Sequence, residues 1–197
     1  MIAILDYGSG NLRSALRAFE TTGRKVVLTS DPQVALSATG LVVPGVGAFA
    51  SCMTGLLKIN GDQIIKNRIA AGRATLGICV GMQILFASGS ENGNHLGVGV
   101  IDGNVELLSA PVLPHMGWNT VSVFGESKLF KGVEKSSFYF VHSYAVKKAA
   151  VQIGAKSDYH GEFLAAIESG SLSATQFHPE KSGAAGLKLI ENWVRTL

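Results

Sequence analysis

The chain has 197 residues, 17 basic and 14 acidic side chains, a formal net charge of +3, and 47% hydrophobic residues. That length suits one domain, 1–197, with a radius of gyration of about 16 Å and roughly 70% of the unfolded surface buried, so a core forms without staples. The balanced charge, with no basic cluster denser than Lys147-Lys148, gives no push toward a nucleic-acid or membrane-surface binder. No apolar run reaches the ~18 residues of a membrane-spanning helix. The start, Met1 to Asp6, lacks the basic lead of a signal peptide. With two cysteines, Cys52 and Cys79, a cytoplasmic location is expected.

Residues 2–5 form an apolar run ending at Asp6, the pattern of a strand buried on both faces. Tyr7-Gly8-Ser9-Gly10-Asn11 is turn chemistry, and Leu12, Leu16 and Phe19 then recur at helical spacing. Two glycines before a helix admit a phosphate-loop reading, but the third glycine of the dinucleotide fingerprint and the Gly-Lys-Ser/Thr of a P-loop are missing. Residues 25–28 read as a second strand, Asp31-Pro32 as a helix start, and 40–43 as a third strand stopped by Pro44-Gly45-Val46-Gly47. Residues 48–57 and 64–71 look helical, and 74–76 return to strand. Strands alternating with helices predict an α/β fold with a mainly parallel sheet and helices on both faces. Sites in such sheets lie beyond the C-terminal strand ends, so Asp6, Gly45 and Cys79 should share one rim.

Residues 75–86, Thr-Leu-Gly-Ile-Cys-Val-Gly-Met-Gln-Ile-Leu-Phe, carry the first chemical signal. Gly77 and Gly81 flank Cys79 by two residues on either side, the strand–turn–helix pattern of a nucleophile elbow. A tight turn excludes side chains at the glycines, and a following helix N-terminus favours the thiolate. A plain buried cysteine is the alternative. Beyond residue 88 the texture turns to short β-like runs at 105–107, 120–123, 138–141, 151–154, 164–167 and 172–175, an antiparallel-rich second half closed by a helix at 186–194.

Ala174 to Glu180 supplies the second signal. A strand runs into His178, and Pro179 turns the chain so that Glu180 projects back toward the ring. A cysteine nucleophile needs a base that later returns the proton, and a carboxylate to orient the imidazole. His95, His115, His142 and His160 are the other candidates, without a carboxylate so placed.

These two stretches together resemble the class I (triad) glutamine amidotransferases. Pro44-Gly45-Val46-Gly47, Pro114-His115-Met116-Gly117-Trp118-Asn119, Tyr139 to Tyr144 and Gln176 to Ser182 resemble, more narrowly, glutaminase subunits of imidazole glycerol phosphate synthases. The resemblance implies a flavodoxin-like α/β fold and a Cys79-His178-Glu180 triad that hydrolyses glutamine through a Cys79 thioester, with neither cofactor nor metal. Val80 N–H, next to the nucleophile, would be one oxyanion donor, and the family places the second at Val46 N–H. By position in matching blocks, Gly45, Gly47, Gln83, Glu91, Ser143 and Tyr144 would contact glutamine, while Trp118 and Lys181 would face a (βα)8-barrel cyclase subunit that receives the ammonia. A heterodimer making imidazole glycerol phosphate and AICAR in histidine biosynthesis is the implied setting. Anthranilate-type synthesis keeps the chemistry and changes the acceptor. A partner protein with a vestigial site, or a thiol sensor using Cys52 as resolving residue, are the readings from other classes.

Overall fold

A computed structural model of the chain describes residues 1–197. The first half runs β1 (Ile2–Leu5), α1 (Leu12–Glu20), β2 (Val26–Thr29), α2 (Pro32–Ser37), β3 (Gly40–Gly45), α3 (Phe49–Lys58), α4 (Gly61–Ala70) and β4 (Thr75–Cys79). Strands β1, β3 and β4 are buried at every residue, as their unbroken apolar runs require of strands covered on both faces. Asp31 starts α2 by accepting the Gln33 N–H at 2.7 Å, and Pro32 follows at the first helical position, where a missing N–H is harmless. Buried Arg68 on α4 fastens the neighbouring loops, donating to the carbonyls of Ala35, Leu36, Ala38, Thr39 and Ala74.

The second half continues with α5 (Val80–Gln83), β5 (Phe86–Gly89), β6 (His95–Leu96), β7 (Ile101–Leu107), β8 (His115–Thr120), β9 (Ser122–Phe124), β10 (Ser137–His142), β11 (Tyr144–Val146), β12 (Ile153–Asp158), β13 (Glu162–Ser169) and β14 (Leu172–Thr175). A 3-10 turn at Pro179–Lys181 leads into α6 (Gly183–Val194). The main sheet has eight strands in the order β2-β1-β3-β4-β14-β13-β12-β9. From β2 to β14 neighbouring strands are parallel, and β13, β12 and β9 extend the sheet antiparallel. Strands β10 and β8 pair in a separate ribbon, and β11-β7-β5-β6 form a small side sheet. This is the expected α/β architecture with an antiparallel-rich second half. No helix is long and apolar enough to cross a membrane.

Several local expectations are corrected. The helix after the elbow is only four residues long, because Phe86 is drawn into β5 to pair with β7. Little helix dipole therefore stands behind Cys79. Strand β3 passes through Pro44 to Gly45, since the parallel pairing with β4 runs on to the Gly45–Cys79 partners. The run 120–123 is divided between β8 and β9, which pair with different strands. Residues 172–175, grouped with the antiparallel runs by their position in the chain, insert parallel to β4.

One core of 51 buried residues spans both halves. In α6 the buried Gly186, Leu189, Ile190 and Trp193 recur at helical spacing, so one stripe faces inward, and Trp193 meets Phe19 edge-on at 5.7 Å. Phe138 and Phe140 on β10 cluster with Phe130, Phe163 and Phe177, mostly edge to face, with Phe138 and Phe177 stacked. Each such buried ring contributes about 1.5–3 kcal/mol relative to exposure.

Candidate active site

The sheet register builds the site. Gly45 on β3 is the parallel partner of Cys79 on β4, and Thr175 on β14 is the partner of Ile78. Gln176 is therefore level with Cys79, its Nε2 lying 3.9 Å from Sγ, and His178 lies two residues beyond. His178 N–H donates to the Tyr139 carbonyl at 2.9 Å, and Ser182 Oγ bridges the Tyr139 N–H and the His178 carbonyl. The histidine turn is thus tied to β10.

Cys79 has φ +56°, a conformation costly for a residue with a side chain and common at functional positions. The elbow glycines have a steric reason. A Cβ on Gly77 would meet the Gly81 carbonyl at 2.7 Å, and one on Gly81 would collide with the Val43 carbonyl. The thiol is buried, with Sγ 3.9 Å from the Val141 carbonyl oxygen.

His178 Nδ1 and Glu180 Oε1 are 2.8 Å apart, with both side chains at most 3% exposed. The 3-10 turn folds Glu180 back onto the ring. Burial pushes the imidazole pKa down, but Cys79 and Glu180 outweigh it and lift the pKa to about 10. These neighbours favour the charged form of the ring. Its Nε2 is buried without a hydrogen-bond partner, as is Glu180 Oε2.

A cleft of about 790 Å³ opens over these groups, lined by Val46, Gly47, Cys79, Val80, Gln83, Glu91, Ser143, Tyr144, His178 and Lys181 among others. Val80 begins α5, so its N–H has no partner within the helix. Val46 N–H is otherwise engaged: it donates to Ser9 Oγ at 3.1 Å, and Ser9 Oγ donates back to the Val46 carbonyl at 2.8 Å. Gly47 has φ +88°, which a side chain would strain. Gly45 is held by contact, since a Cβ there would lie 2.5 Å from the Gly81 nitrogen.

Gln83 lies at the cleft floor, donating through Nε2 to the Tyr144 carbonyl at 2.8 Å and to Gln176 Oε1 at 3.0 Å. Glu91 reaches the cleft and also accepts the Phe49 N–H at 2.7 Å through Oε2, at the start of α3. Trp118 is 59% exposed, away from the core, and its ring lies 6.1 Å from that of Tyr139. Lys181 is exposed on the 3-10 turn and lines the cleft.

Sequence reasoning left out Asn11 and Pro114 as cleft residues, and Tyr7, Ser9 and Cys52 as neighbours of the Val46 turn. Cys52 is buried with Sγ 3.1 Å from Ser9 Oγ and 3.4 Å from the Val46 carbonyl. Tyr7 OH donates to the Pro44 carbonyl. The Gly8-Ser9-Gly10 turn follows the β3 end closely: a Cβ on Gly10 would lie 2.8 Å from Pro44 Cβ. That close approach accounts for a glycine at Gly10 without an anion. The turn's length was the one available signal.

A buried thiol and an acid-backed imidazole on one cleft at the sheet rim are an arrangement that can support amide hydrolysis through a cysteine. The chain belongs to the class-I glutamine amidotransferase family, which matches residues 3–197. Within that family it is 55% identical to imidazole glycerol phosphate synthase subunit HisH of Mycolicibacterium paratuberculosis, over 100% of this chain and 98% of that one. It is 56% identical to the HisH subunit of Mycobacterium bovis, over 98% and 96% of the two chains. The fold superposes on a crystal structure of a glutamine amidotransferase with a TM-score of 0.77 at 16% identity, covering 98% and 97% of the chains.

Proposed function

We propose that residues 1–197 act as one glutaminase domain, the HisH-type subunit of an imidazole glycerol phosphate synthase, passing ammonia to a cyclase subunit in the cytoplasm. The observation that carries the catalytic assignment is that Cys79 and His178 line one cleft, with buried Glu180 behind the imidazole, Nδ1 and Oε1 at 2.8 Å. The Cys79 thiolate attacks the side-chain amide carbon of glutamine. His178, protonated on Nε2, gives that proton to the departing nitrogen, which leaves as ammonia. Neutral His178 then takes a proton from water, whose oxygen attacks the thioester, and glutamate departs as the thiolate re-forms. Glu180 keeps the ring oriented and supports its charge.

The oxyanion is received by Val80 N–H and Val46 N–H. With Val46 N–H held by Ser9, only one donor is available at rest, which supports a switch in which the Gly45–Val46 peptide turns once partner and substrate are bound. Gln83, Glu91, Ser143, Tyr144 and the Gly45 and Gly47 backbone surround glutamine. Trp118 and Lys181 lie on the cyclase-facing side. Treatment with an electrophilic glutamine analogue tests the assignment: one adduct by mass, located at Cys79 and suppressed by excess glutamine, is expected. Labelling that persists in Cys79→Ala, or that glutamine does not suppress, contradicts it.

A further inference from the structure

His115 and His142 are both buried, lie outside the proposed triad, and face each other with His115 Nδ1 3.0 Å from His142 Nε2. The ends of this pair fix which atom carries each proton. His142 Nδ1 lies 3.0 Å from the Tyr144 carbonyl oxygen, which can only accept, so Nδ1 carries the hydrogen. At the other end, Asn119 Nδ2 donates to the Asp158 carbonyl at 2.9 Å while its Oδ1 accepts the Thr120 N–H at 2.8 Å, which fixes the amide's orientation. Its second Nδ2 hydrogen points to His115 Nε2 at 3.2 Å, so that nitrogen is bare. His115 Nδ1 must then donate to a bare His142 Nε2. Every link runs one way, from Asn119 through His115 and His142 to the Tyr144 carbonyl. An extra proton on either ring would set two donors face to face, and burial of both rings acts in the same sense by lowering their pKa values.

We propose that His115 and His142 are positioning residues, a one-way hydrogen-bond relay that holds the Tyr144 carbonyl, and through it the Gln83 amide, in the orientation the glutamine pocket requires. The Tyr144 carbonyl accepts from both His142 and Gln83. Both Gln83 Nε2 hydrogens are used, on Tyr144 and Gln176, so Gln83 Oε1 is the group left for the cleft. Gln176 in turn accepts at Oε1 and directs its Nε2 toward the Cys79 sulfur. Loss of the relay frees His142 to adopt the opposite tautomer, and the carbonyl loses one of its two donors. The pocket half of this proposal rests on the glutaminase reading.

The test uses His115→Phe in the full-length chain with its cyclase partner. His115 is stacked against Phe140 at 4.9 Å and Tyr159 at 4.2 Å, so a phenyl ring suits the space, and near-UV circular dichroism checks that the variant is folded. Ring 15N NMR of the wild type is expected to show Nδ1–H and bare Nε2 on both histidines. In His115→Phe, His142 gains Nε2–H character and the KM for glutamine rises about tenfold, with kcat changed much less, as loss of one buried donor implies. His115→Asn, which restores a donor near the Nδ1 position, brings KM most of the way back. Nε2–H or a doubly protonated ring in the wild type overturns the relay. An unchanged KM in folded His115→Phe, or a rise that His115→Asn does not rescue, overturns its role at the pocket. A wild type without Cys79-dependent glutamine hydrolysis overturns the glutaminase reading and the pocket half with it, while the tautomers still judge the relay.

Discussion

Glu180 and Ser9 act on the same site in opposite senses. Glu180 helps hold a proton on His178, with a folded-state pKa raised to about 10 from 6.5. A raised pKa stabilises the fold fully below the unfolded value, and that contribution is lost as pH rises through about 10. Urea titrations should therefore show the stability difference between wild type and Glu180→Gln shrinking from neutral pH toward about 10; a constant difference contradicts the charged pair. In kinetics, Glu180→Gln should lower kcat by about 10² or more with KM little changed. Ser9, in contrast, occupies the Val46 N–H. Removing the hydroxyl in Ser9→Ala should raise glutamine hydrolysis by the isolated chain several-fold, about the effect of one hydrogen bond. Unchanged or lower activity would show that Ser9 does not restrain the peptide. The grouping of Cys79, His178 and Glu180 was legible because each sits in a short motif whose neighbours constrain it locally. Ser9 and Cys52 were not: Ser9 reaches Val46 from 37 residues away through the packing of the β1–α1 turn on β3, and Cys52 turns its sulfur onto the same carbonyl from α3.

The elements responsible for site geometry are the ends of β3, β4 and β14. Their backbones pack so closely around the elbow that Gly81→Ala has no room beside the Val43 carbonyl. Thermal denaturation should show a loss of about 3 kcal/mol or more, larger than a surface substitution produces; a shift under 0.5 kcal/mol contradicts the close approach. The parallel strands could be read from apolar runs bounded by turn residues, since burial on both faces leaves a strong compositional mark. The helix after Cys79 could not, because Ile84 to Phe86 suit a helix and a buried strand equally by composition. Pairing with β7 settled it. Glu91 shows the same limit: its segment suggested a substrate contact, while its bond to the Phe49 N–H depends on where α3 begins.

Across the whole molecule, Lys181 is exposed on the 3-10 turn lining the cleft, and Trp118 is exposed on β8. Met116 and Trp118 alternate on β8 with inward-facing His115, so one face of this strand is left for a partner while the other feeds the relay. Trp118→Ala should weaken the cyclase complex by about 2 kcal/mol, roughly 30-fold in Kd, in a titration calorimetry experiment. The most direct measurement of the central claim is glutamate release from glutamine by the purified chain, alone and with the cyclase subunit and its ligand, beside Cys79→Ala. The account predicts low release alone, strong stimulation by the liganded partner, and none from Cys79→Ala. Equal rates with and without the partner, or release that survives the substitution, would contradict it.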